Sequence, residues 1–81
     1  MVTEVSKRIQ TLLAQEMGPM GVFILKKQCK DRGLDPDELK VTDLPDLSQI
    51  LYKAMVVFTG EEKGKKIQDA IRKIGVEASN S

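Results

Sequence analysis

Met17-Gly18-Pro19-Met20-Gly21-Val22-Phe23-Ile24-Leu25 contains the longest apolar run in the chain, and a Gly-Pro pair fixes where that run begins. Glycine accepts the left-handed conformation that closes a helix, and the proline after it cannot continue the hydrogen-bond ladder. The same proline suits the first turn of a new helix, where its missing N–H has no intrahelical partner to lose. The pair therefore reads as a joint between two helices. From Met20 to Leu25 no polar side is visible, which predicts a central helix buried on every side. A strand competes over Val22 to Leu25, because short apolar runs fit either period. The continuation Lys26-Lys27-Gln28-Cys29-Lys30-Asp31-Arg32-Gly33, good helix formers ending in basic residues and glycine, decides for helix.

Upstream of the joint, Val2, Val5, Ile9, Leu12, Leu13 and Met17 recur at steps of three and four, the stripe of an amphipathic helix with Thr3 as its N-cap. Downstream, Gly33 and Leu34 match a glycine cap with its hydrophobic contact. Asp35-Pro36-Asp37-Glu38 then has the marks of a helix start: a capping aspartate, a proline, and a glutamate placed to reach back. Leu34 and Leu39 sit at the staple positions, so a helical turn is expected there. It must be short, because Thr42 or Asp43 caps another helix with Pro45 in its first turn. That helix carries Leu44, Leu47, Leu51, Met55 and Phe58 on one face, widened by Ile50, Ala54 and Val57. Thr59 and Glu62 predict a capping box for the last helix, which puts Ile67, Ala70, Ile71 and Ile74 on one side and Lys63, Lys65, Lys66, Arg72 and Lys73 on the other. Gly75 and Val76 read as its end, with residues 77–81 a frayed, disordered tail. The expectation is an all-α chain: one domain over residues 1–76, a compact bundle of four main helices plus one short helical turn.

Chemistry has little to work with. The chain has no histidine and one cysteine, Cys29, so neither an intrachain disulfide nor a zinc site of four Cys or His ligands can be built. Neighbouring Lys26 and Lys30 could depress the Cys29 thiol, but a small packing residue is the better reading. The acidic stretch Asp35, Asp37, Glu38, Asp43, Asp46 begins like a calcium loop, yet Lys40 stands where the sharp turn needs glycine and Leu39 replaces a ligand. Carboxylates at helix starts explain these acids better. Gly60-Glu61-Glu62-Lys63-Gly64-Lys65-Lys66 lacks the spacing of a phosphate-binding loop and follows a helix, not a strand. No catalytic, metal or cofactor-binding residue is expected, and an enzyme is not.

Thirteen Lys and Arg against twelve Asp and Glu leave a net charge of +1, unlike the basic excess of a dedicated nucleic-acid coat. No apolar stretch is long enough to span a bilayer, and the N-terminus has no signal-peptide pattern, so a reduced, cytoplasmic setting is expected. Binding remains as a role. A small domain gains from covering apolar surface, which marks the helix bearing Leu44, Leu47, Ile50, Leu51, Met55 and Phe58 as a candidate protein interface, with a partner or a second copy. The alternative is a nucleic-acid binder using Lys26, Lys27 and Lys30 on the second helix with Lys63, Lys65 and Lys66 on the last. The aromatic inventory of Phe23, Tyr52 and Phe58 offers no evident stacking platform for it.

The segment from Gly18 to Ile67 resembles a small helical module appended to kinases and other regulatory domains of prokaryotic signalling proteins. The shared features are Gly18-Pro19, a small residue with the apolar run to Leu25, a basic patch, and the leucine-spaced helix of Leu44, Leu47, Leu51 and Phe58. Gly21 stands where alanine is more familiar. The resemblance implies an interaction or regulatory module and carries over no catalytic residue.

Overall fold

In the computed structural model, which describes residues 2–79, the chain forms four α-helices: α1 (Glu4–Met17), α2 (Pro19–Asp31), α3 (Leu44–Thr59) and α4 (Glu61–Ser79). A single 3₁₀ turn at Val41–Asp43 precedes α3. The described residues contain no strand, and the all-α bundle of four main helices plus a short turn stands. Each helix packs on its neighbours in chain order and α4 closes on α1, so α2 and α4 stand across a diagonal.

Local chemistry places most of these boundaries. Thr3 caps α1, its hydroxyl accepting from the Ser6 N–H at 3.1 Å. Gly18 takes φ +66°, a value open to glycine at little cost, and its N–H reaches the Ala14 carbonyl at 2.9 Å. Pro19 then opens α2 directly. This one-residue corner brings α2 back against α1 so closely that a Cβ on Gly21 would lie 2.5 Å from the Leu13 carbonyl oxygen. Glycine at position 21 is thus a steric requirement.

The core is aliphatic. Ile9 and Leu13 from α1, Leu25 and Cys29 from α2, Leu47, Leu51 and Met55 from α3, and Ile67 and Ile71 from α4 are all fully buried. Leu39 joins them from the connector between α2 and α3. That connector is held by α1 through hydrogen bonds. The Ser6 hydroxyl, itself fully buried, accepts from the Leu39 N–H at 2.7 Å; the Thr3 hydroxyl donates to the Leu39 carbonyl at 2.9 Å; and the Thr3 N–H donates to the Asp37 carbonyl at 2.9 Å. Gln10 adds two more from its amide, to the Pro36 carbonyl and the Asp37 carboxylate.

Four expectations change. The apolar run is not buried all round: Ile24 and Leu25 face the core, but Phe23 is 65% exposed and Met20 about half exposed. A helix in a two-neighbour position has only one covered side, whatever its composition. Residues 35–38 form a turn and not a helix, with the Asp35 carboxylate accepting from the Asp37 N–H and its carbonyl from the Glu38 N–H; the helical turn falls at Val41–Asp43. The Asp43 carboxylate serves that turn, accepting from the Lys40 N–H at 3.0 Å. Thr59 does not cap α4, because it ends α3 and its hydroxyl donates back to the Met55 carbonyl. Finally, α4 runs through Gly75 and Val76 to Ser79, so residues 77–79 of the expected tail are helical; residues 80–81 lie outside the described ones. Arg8 of α1 pairs with Glu77 at 2.7 Å, and that contact holds the Glu77 carboxyl below its usual range.

Candidate functional site

The α3 face expected to meet a partner is mostly consumed inside the bundle. Leu44, Leu47, Leu51 and Met55 are no more than 2% exposed, so four of the six candidate interface residues are core residues. The physical reason is that α3 has two packed neighbours, α2 and α4, and its wide apolar circumference serves both. Ile50 is half-buried, and only Phe58 stands out, at 64% exposed. Beside it Val57 is 80% exposed.

Phe58 ends at the same extremity of the bundle where α2 begins. Glu16, near the end of α1, and Thr59 line one shallow depression, and Lys66 of α4 reaches Glu16 at 3.2 Å. The Gly18 and Gly60 corners are therefore neighbours at this end. Met20 and Phe23 lie in the first turns of α2 just beyond the Gly18 corner. Both phenylalanines of the chain are thus outside the core, on two helices that pack against each other. Periodicity could not reveal this for Phe23, since its neighbours in sequence are apolar on both sides.

The six candidate nucleic-acid lysines are all exposed. Lys26, Lys27 and Lys30 share the outer side of α2 with Met20 and Phe23, whereas Lys63, Lys65 and Lys66 belong to α4 across the diagonal. Lys66 is engaged with Glu16. The helices carrying the two clusters do not pack together.

Cys29 is fully buried, and its thiol is pushed above its ordinary value of 9.0, first by burial and then by Asp43 and Asp35, against a smaller opposing effect of Arg32. A protonated, enclosed thiol is a packing group. Asp35 and Asp43 accept backbone N–H groups in turns and Asp37 accepts from Gln10, and the described residues hold no group of three or more His, Cys, Asp or Glu side chains able to hold a metal. Among the described residues no helix is long and apolar enough to cross a membrane.

A second surface feature lies at the other extremity, where the first turn of α3 meets the last turns of α4. The two helices run antiparallel, since Gly64 faces Tyr52 and Val56 while Gly75 faces Leu44. Their ends leave a groove of about 570 Å³ that no motif in the sequence pointed to. No family model, curated protein or solved structure matches the chain. The functional reading therefore rests on the geometry.

Proposed function

We propose that the chain is a non-enzymatic protein-binding module whose contact face is centred on Phe23 and Phe58, with Met20 and Val57. The observation that carries this reading is the exposure of both phenylalanines. Burying a phenylalanine contributes about 1.5–3 kcal/mol, and a domain this size has little stability to forgo. Leaving both outside makes physical sense where a partner covers them.

Lys26, Lys27 and Lys30 border the apolar side chains of α2, so the partner that fits best is an apolar segment flanked by acids. A second copy related by a two-fold axis would bring like charges together around the same seam, which favours a different protein over a homodimer. The nucleic-acid reading has less support, because the second lysine cluster lies across the diagonal.

The test is site-specific photo-crosslinking in the native cell, with the photoreactive side chain at position 23, 58 or, as a control, 65. One discrete adduct common to positions 23 and 58, absent at 65 and lost when Lys26, Lys27 and Lys30 are changed to Glu, is the expected result. The same adducts from all three positions, or none, would remove the proposal. Binding of duplex DNA that falls steeply with salt would favour the lysine reading instead.

A further inference from the structure

The groove between the ends of α3 and α4 has walls of one kind. Val41, Leu44, Pro45, Gly75 and Val76 form an almost wholly apolar surface, and the one charged side chain among its lining residues is Arg72. Its volume of about 570 Å³ lies within the usual range for a small-molecule site. Gly75 helps to keep it open: a Cβ there would come within 3.3 Å of Leu44 Cδ1, and any larger side chain would intrude further. Arg72 makes no hydrogen bond or ion pair from its side chain among the described residues, whose two ion pairs are Arg8–Glu77 and Lys66–Glu16. Asp69, one turn earlier on α4, does not reach it.

We propose that this groove binds a small amphiphile with an aliphatic tail and one carboxylate, the tail lying along the α3–α4 seam and the carboxylate on the Arg72 guanidinium. A planar guanidinium meets a carboxylate through two parallel hydrogen bonds, and among the described residues Arg72 has no hydrogen bond or ion pair to give up first. A peptide fits less well. Every residue of an extended peptide brings an N–H and a carbonyl that need partners, and helical walls have already used theirs. Gln49 and Ser79 are the only neutral polar side chains in the lining. The site is at the opposite extremity from Phe23 and Phe58 and is independent of the protein-binding reading.

Titration of the isotope-labelled protein with decanoate, below its micelle concentration and followed by amide NMR shifts, tests the proposal. Saturable shifts centred on Val41, Gln49, Gly75 and Val76 are expected. Arg72→Gln should weaken binding by about tenfold or more, the loss of a charge-assisted pair, and decanol should bind the unaltered protein more weakly than decanoate. Val76→Asp, at an exposed position, should abolish binding by placing a negative charge at the groove. Absence of saturable shifts, equal affinity of Arg72→Gln, or shifts centred on Phe23 and Phe58 would each overturn it.

Discussion

Ser6→Ala removes a single oxygen from the interior, and its cost can be worked out from the contacts. The Ser6 hydroxyl is fully buried and accepts the Leu39 N–H at 2.7 Å, while Leu39 itself is 1% exposed. Alanine would leave that N–H without a partner and out of reach of water, at a cost of about 1–3 kcal/mol. Against this, alanine is a better helix former than serine by roughly 0.5 kcal/mol. The net expectation is a loss of about 0.5–2.5 kcal/mol. A domain of this size has a total stability of roughly 4–12 kcal/mol, so the variant should be visibly weaker. Its Tm should fall by about 2–20 °C, at 4–8 °C per kcal/mol for a small domain. Urea unfolding followed by far-UV circular dichroism measures the loss, and amide hydrogen exchange localises it. The Leu39 amide should lose protection more than the α3 and α4 core amides do. An unfolding free energy within 0.5 kcal/mol of the parent, with Leu39 protection unchanged, would refute the reasoning and place the connector's anchorage in Leu39 burial alone.

Neighbouring residues of the apolar run should behave oppositely. Ile24→Ala, at a 6% exposed position, should cost about 2–5 kcal/mol, whereas Phe23→Ala at 65% exposure should change stability by less than about 0.5 kcal/mol, both read from urea midpoints. Two glycines inside helices should likewise split. Gly21→Ala drives a Cβ to 2.5 Å from the Leu13 carbonyl oxygen and should destabilise by about 1–3 kcal/mol, while Gly64→Ala meets the Tyr52 ring at 3.4 Å and should stabilise by roughly 0.5–1 kcal/mol. Thermal melts of the two variants with opposite signs are the expected outcome. Cys29 should resist alkylation in the native state and react fully in denaturant. Because burial raises its thiol pKa above 9.0, the unfolded chain gives up the proton first on going alkaline. The thiol's contribution to stability is complete below pH 9 and is lost as the pH climbs through the folded value, so Cys29→Ser should flatten the alkaline limb of the stability curve.

Much of the fold was legible because its punctuation is local. Thr3, Gly18, Pro19 and Pro45 act within one turn of where they stand, and each lies where a helix begins or ends. The local signals failed where a tertiary partner competed for the same group. Asp35 and Glu38 had the spacing of a cap, but Gln10 of α1 and its cap residue Thr3 hold residues 36–39 so that the turn there does not go on into a helix. Gly75 resembled a terminator, but packing on Leu44 and the Arg8–Glu77 pair carry α4 past it. The candidate interface suffered the same way: α3 was recognised as unusually apolar, and the bundle accounts for that by placing it between two helices.

Sequence alone determined that the chain is helical, where α1 ends and α2 begins, and that a zinc site of four Cys or His ligands cannot be built from it. Those conclusions depend on backbone sterics, on nearby side chains and on which groups exist at all. Only the tertiary structure decided that Phe23 points outward while Ile24 points in, that residue 21 must be glycine, and that Ser6 holds Leu39 from 33 positions away. A helix that is apolar on all sides carries no information about which side will be covered. That is settled by the neighbours, and here α1 and α3 cover the side of α2 that bears Ile24, Leu25 and Cys29.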